Sequence, residues 1–232
     1  MSTGLFSLRR ATRADIPTLV AIFEAAFRTD RHTRVKALDG NPQALGNGMR
    51  DALLSWLDAP TRCAVLVATE DASGTILGWA CWSRHGYADT LAPAPARQHA
   101  TAPVVEAPRP ASLVTLEALT DRDRERWQAH LMPANTCCRI LVTIAVSPPY
   151  QARGIGSALI RWGTRRADRD GVFCWVHASE AGTLAFERQG FAEIGRLTVD
   201  LDVYAPTPPP PADETRQWGR YTFRYMKRLP VS

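Results

Sequence analysis

The stretch that most constrains this chain runs from Ile140 to Ala167, ILVTIAVSPPYQARGIGSALIRWGTRRA. An apolar, β-branched run from Ile140 to Val146 reads as a buried strand and halts at Ser147-Pro148-Pro149. A short polar loop follows, Gln151-Ala152-Arg153-Gly154-Ile155-Gly156, and an amphipathic helix begins behind it. Strand, glycine-rich turn and helix N-terminus in that order suit a ligand carrying phosphate. Successive backbone N–H groups and the positive end of the helix dipole converge on one point there. Gly154 and Gly156 let the backbone approach an anion with no Cβ in the way. The plainer alternative is a tight turn whose glycines serve close helix–strand packing.

Spacing narrows the choice of ligand. A Walker loop ends in Gly-Lys-[Ser/Thr], and this loop has no lysine. The dinucleotide fingerprint Gly-x-Gly-x-x-Gly fails because Leu159 stands at the third glycine position. What remains is Gln-x-x-Gly-x-Gly at the end of an apolar strand. This resembles the pyrophosphate loop of the GNAT superfamily of acyl-CoA-dependent N-acetyltransferases.

The chain has 232 residues, an ordinary apolar fraction of 45% and no apolar run of transmembrane length. Its first residues, MSTGLFSLRRATRAD, lack the apolar core of a signal peptide, so a cytoplasmic location is expected and no membrane partner. Cys63, Cys81, Cys137, Cys138 and Cys174 are odd in number and sit mostly in strand-like runs, which predicts buried free thiols. No second cysteine pair stands at zinc-finger spacing, so no metal is expected. The net charge is +5, but Lys36 and Lys227 are the only lysines and the arginines lie scattered among acids. A dedicated nucleic-acid face is therefore not expected, and the positive balance serves an anionic cofactor equally well.

Taken in order, Gly4 to Arg10 reads as a strand, and Thr12 and Asp15 as a helix start with Pro17 in the first turn. Ile16, Leu19, Val20, Phe23 and Phe27 form the helix's core stripe. A weaker helix is expected from Pro42 to Leu57. Arg62 to Thr69 and Thr75 to Ser83 read as an antiparallel hairpin around Asp71-Ala72-Ser73-Gly74. His85 to Pro110 is rich in Ala and Pro, as a linker or lid arm is, and Ser112 to Leu131 returns to helix. This segment either folds over a substrate cleft or is a tolerated insertion. Val172 to Ala178 is a further buried strand; Ser179 can cap the next helix and Gly190 can end it. Ala192 to Tyr204 is expected as a strand with Val199, Leu201 and Val203 on one face. A proline-rich loop, Pro206 to Pro211, leads to a last strand from Gly219 to Arg228.

That order matches the family it resembles from Ile140 to Phe191 and, more loosely, from Leu8 to Asp15. The resemblance implies an α/β (α+β) fold: a mixed, mostly antiparallel sheet of about seven strands flanked by helices. Residues 1–232 would form a single domain, with an insertion at 85–136 between the third and fourth strands. It further implies that the central strand and the next one splay apart to admit the pantetheine arm of acetyl-CoA or coenzyme A. The backbone of Ile144, Ala145 and Val146 would pair with that arm, and Gln151, Ala152, Arg153, Gly154, Ile155, Gly156 and Ser157 would hold the pyrophosphate. Ser179 lies where relatives often carry an asparagine that contacts the arm. Phe186 occupies the cofactor-side position where relatives commonly place a tyrosine that protonates the departing sulfur.

The reaction so implied is direct attack of a primary amine on the thioester. An amine with a pKa near ~10 must first lose its proton, and a general base is worth about 10²–10⁴ in rate. No acid stands on the central strand. His177, at the end of the neighbouring strand, is the candidate base beside a structural reading of the same histidine, and Glu24 is a second candidate beside a solvated-face reading. Acetyl transfer to a small-molecule amine is thus the expected function, in a monomer or homodimer. The alternatives are a CoA-binding module with weak or no catalysis, or an acceptor that is a protein lysine or a hydroxyl.

Overall fold

The computed structural model describes residues 6–41, 43–88, 109–211 and 216–231. Within them seven strands make one sheet: β1 (Phe6–Arg10), β2 (Cys63–Glu70), β3 (Ile76–His85), β4 (Cys138–Val146), β5 (Cys174–Ala178), β6 (Ala192–Asp200) and β7 (Arg220–Arg228). Their spatial order is β1-β2-β3-β4-β5-β7-β6, and every neighbouring pair is antiparallel except β4–β5. A parallel pair needs a crossover, and the helix behind the glycine loop supplies it. The helices are α1 (Ile16–Phe27), α2 (Arg31–Lys36), α3 (Ala44–Leu57), α4 (Ala111–Leu131), α5 (Ile155–Asp170) and α6 (Thr183–Glu187). This is the mixed, mostly antiparallel sheet flanked by helices that the sequence led us to expect.

The helices cover the sheet in three patches. On one face α5 and α6 close a core containing Trp82, Leu141, Leu159, Val176 and Phe186. On the other, α1 and α3 bury Leu19, Leu53, Val65 and Trp79 over the β1–β4 half. The β5–β7–β6 half of that second face is covered by α2 and α4, through Val35, Leu113, Leu116, Leu131, Tyr221 and Tyr225. Trp127 of α4 stacks on Tyr225 at 4.8 Å, and Asp123 accepts the Tyr225 hydroxyl at 2.9 Å. The helical half of the insertion is therefore a structural layer. The arm expected before it lies mostly outside the described residues, at 89–108. No helix among the described residues is long and apolar enough to cross a membrane.

Three expectations are corrected. The strand from Ala192 ends at Asp200, where the Asp200 carboxylate accepts from the Asp202 N–H and starts a 3-10 turn over Leu201–Val203. That turn sends Leu201 into the core and leaves Val203 69% exposed, so the two do not share a face. Ser179 does not cap α6, whose N-cap is Gly182; the Ser179 carbonyl instead accepts from the Gly182 N–H. Helix α2 is additional. It is too short to show a period, and Asp30 fixes its start by accepting from the Thr33 N–H at 2.8 Å.

Candidate functional site

The site begins with a defect in β4. Along β3, Trp82 opposes Leu141 and Cys81 opposes Thr143, which leaves Val142 as an extra residue. Such a bulge bends its strand and increases the local twist. On its other side β4 pairs with β5 only at Arg139↔Cys174, Ile140↔Trp175 and Leu141↔Val176. Pairing stops at the residue before the bulge, although β4 runs on to Val146 and β5 to Ala178. The edge of β4 that faces β5 thus has no strand partner beyond Leu141 among the described residues. An extended ligand carrying amides can complete such an edge as an added strand.

Ile144, Ala145 and Val146 lie on this open run. Their side chains are used in packing: Ala145 is buried on the α1 side, while Ile144 and Val146 rest half-buried on the α5 side. Their backbone edge is what remains available.

The loop follows directly. A 3-10 turn at Pro148–Tyr150 reverses the chain, and Gln151 Nε2 donates to the Val146 carbonyl at 3.0 Å, tying the loop to the strand end. Ala152 (φ +59) and Gly154 (φ +84) are left-handed, the geometry that turns successive N–H groups toward one side. Among the described residues no hydrogen bond engages the N–H groups of residues 152–157. The first one taken is Ala158 N–H, which donates to the Gly154 carbonyl at 2.9 Å. A Cβ on Gly154 would meet nothing within 4 Å, and one on Gly156 only a Val146 methyl at 3.8 Å. Close packing therefore requires neither glycine, and an open cradle beside a helix N-terminus fits a diphosphate. Ile155 is buried and anchors the first turn of α5, Ser157 is half-buried, and the exposed Arg153 guanidinium lies 5.4 Å from the Tyr150 ring centroid.

The remaining predicted residues occupy different settings. His177 is the first β5 residue past the last pair with β4. Its ring stacks on Tyr225 at 4.7 Å and Phe223 at 4.9 Å, on the α2 and α4 side of the sheet. Burial, and secondarily the positive charge of Arg124, lower its pKa to about 4, so it is neutral and weakly basic near pH 7. Glu24 is half-buried on α1 with its carboxylate against Gly46 of α3. Ser179 is half-buried at the end of β5. Phe186 is 3% exposed and meets Phe191 edge-on at 5.8 Å, so its ring belongs to the core.

Sequence reasoning missed two features. The Val142 bulge leaves no trace in a run where every residue suits a strand. The polar seam at the start of α2 is tertiary: Tyr221 donates to Asp30 at 2.6 Å, and Arg31 pairs with Glu180 at 2.7 Å. Burial and the Asp30 charge push the Tyr221 pKa up, so that hydroxyl keeps its proton.

Comparison with known proteins follows these lines. Residues 117–191 match the family model described as the acetyltransferase (GNAT) family. An agmatine N-acetyltransferase has a similar fold, with a TM-score of 0.60, 16% identity and coverage of 97% of this chain and 99% of the other. A histone acetyltransferase HPA2-related protein from Corynebacterium glutamicum gives 0.53 at 18% identity, over 98% and 97%. The PaiA N-acetyltransferase of Thermoplasma acidophilum, solved in complex with coenzyme A, gives 0.51 at 11% identity, over 97% and 98%. The family-model match takes in the open strand, the loop and α5, and the chain as a whole shares the fold of these N-acetyltransferases.

Proposed function

We propose that this chain transfers acetyl from acetyl-CoA to the primary amine of a small molecule by direct attack. One observation carries the reading. The unpartnered edge of β4 leads without a break into a loop whose N–H groups at 152–157 are unengaged among the described residues. The backbone of Ile144, Ala145 and Val146 would pair with the pantetheine arm. Residues Gln151 to Ser157 would hold the diphosphate, with Arg153 adding charge and Ser179 near the arm. A backbone N–H on β4 would stabilise the oxyanion as it develops. Bound acetyl-CoA supplies an activated thioester, and its thiol, with a pKa near ~8.5, leaves tolerably as a thiolate. That matters because Phe186 has no proton to give.

Two groups are candidates for accepting the amine proton. The low basicity of His177 makes it the weaker one at neutral pH, and Glu24 on α1 is the alternative. Turnover of acetyl-CoA across a panel of amines, with agmatine included, tests the function through release of free thiol. Product from at least one amine is expected, and Glu24→Gln should lower kcat more than His177→Gln.

The buried ring of Phe186 and the low basicity of His177 favour a second reading, a CoA-binding module with weak or no catalysis. Tight CoA binding with no turnover of any amine would establish it over the first, and turnover of only a protein lysine or a hydroxyl would redefine the acceptor. The five free cysteines fit a cytoplasmic location, which we propose with the rest.

A further inference from the structure

At the far end of α5 from the glycine loop lies a second concave site that acetyl transfer does not use. A cavity of about 150 Å³ is lined by Arg10 of β1, Arg62 before β2, Arg84 of β3, Arg139 of β4, and Trp162 and Arg166 of α5. Arg166 sits roughly 16 Å along α5 from its first residue, so this cavity is separate from the loop. Five arginines from four strands' ends and one helix line it; the guanidinium groups of Arg10 and Arg166 share the Trp162 ring and that of Arg139 acts on Arg166, and guanidinium keeps its charge at any ordinary pH.

Asp170 is bonded into the group, but it already accepts from Arg139 at 2.6 and 2.9 Å and from the Tyr87 hydroxyl at 2.5 Å. Among the described residues neither Arg10 nor Arg166 makes an ion pair. Arg10 donates to the Cys63 carbonyl at 3.5 Å and Arg166 to the Trp162 carbonyl at 3.0 Å. Both lie over the Trp162 indole, at 5.5 and 3.5 Å from its centroid. Burial, together with repulsion from Arg169, Arg139 and Arg10, holds the Arg166 pKa below its ordinary value. Arginines held in place by carbonyls and an indole, and crowded by one another, leave their remaining N–H donors for something negative.

We infer that this cavity binds a compact, multiply charged oxyanion, a phosphate or small dicarboxylate group, and that the bound anion ties β1, β2, β3, β4 and α5 together. Planar guanidinium forks match the oxygens of both groups, and such oxyanions are among the strongest hydrogen-bond partners of arginine. The volume suits a charged group about the size of a benzene molecule.

Thermal unfolding of the full chain tests this at constant ionic strength in chloride, inorganic phosphate or malonate. The midpoint should rise with the logarithm of oxyanion concentration, by about 5 °C at a hundredfold excess over half-saturation, with no such rise in chloride. A rise in phosphate alone identifies a phosphate site, a rise in malonate alone a carboxylate site, and a rise in both supports the shared chemistry. The Arg10→Gln/Arg166→Gln double variant should lose the effect. Arg166→Gln alone, which relieves like-charge crowding, should unfold no earlier than wild type in chloride and need about tenfold more oxyanion. Saturating CoA should leave the phosphate response in place. Three results would overturn the inference: no rise beyond chloride, a rise that survives the double variant, or a rise abolished by CoA, which would assign the phosphate to the glycine loop.

Discussion

His32 and His177 flank the Phe223 ring at 4.8 and 4.9 Å, and each holds a buried Nε2 without a hydrogen-bond partner among the described residues. Burial lowers both pKa values to about 4; Lys36 adds to the fall for His32 and Arg124 for His177, while Asp30 and Glu117 oppose it for His32 and Asp123 for His177. Because the folded values lie below the unfolded value of about 6.5, the unfolded chain takes up these protons first as pH falls. Stability from the two rings is full above about pH 6.5 and is lost between there and about pH 4, on the order of 3 kcal/mol per ring at most. Urea midpoints measured from pH 7.5 to 4.5 should fall accordingly, and less steeply in His32→Phe/His177→Phe; parallel slopes would contradict the assignment. Gly156 makes the complementary case. A side chain there enters open space, so Gly156→Glu should leave the unfolding midpoint within about 2 °C of wild type while its carboxylate repels the diphosphate. Loss of the CoA-induced thermal shift in a well-folded variant is the expected result, and an undiminished shift would place the diphosphate elsewhere.

Among the elements, β4 carries the proposed cofactor edge and α5 carries the constraint on packing. Deleting Val142 removes the extra residue while keeping Leu141 opposite Trp82 and Thr143 opposite Cys81. The strand should then stay alongside β5 and close the slot, giving a folded protein that no longer binds acetyl-CoA by calorimetry; retained binding would show that the bulge does not open the site. Gly163 lies where α5 crosses the sheet, and a Cβ there would overlap the Trp82 indole, whose Nε1 donates to the Leu159 carbonyl at 3.1 Å. Alanine is the better helix former by about 1 kcal/mol, but the forced repacking costs about 1–3 kcal/mol. Gly163→Ala should therefore lower the midpoint by a few degrees, and an unchanged or raised midpoint would show that Trp82 can yield. From the sequence alone Gly163 is an unexplained glycine in a helix, because its partner lies about 80 residues away in the chain.

For the whole molecule, the insertion decides how complete the sheet's cover is. Leu116 of α4 is fully buried between β6, β7 and α2, so Leu116→Ala should cost about 2–5 kcal/mol of folding free energy in chemical denaturation. A cost near zero would make the helix dispensable. Much of this architecture was legible beforehand. The Ile140–Val146 run, the Gln-x-x-Gly-x-Gly loop and the α5 period are local patterns, and local patterns report strand, turn and helix directly. Ser179 and Val203 were misplaced because a cap or a strand end depends on which backbone groups find partners across the fold. His177 could be placed on β5 from its neighbours, but its stacking on Phe223 and Tyr225 comes from a strand some 46 residues further on. By itself, then, the sequence determined the order of the strands and the longer helices and the glycine loop before α5, since these follow from short-range periodicity and from glycine at two positions. Only the tertiary structure decided that β4 leaves β5 at Val142, that α4 is part of the core, and that five arginines meet around one cavity. Each of these depends on contacts between residues far apart in the chain, and such contacts exist only once the sheet has closed.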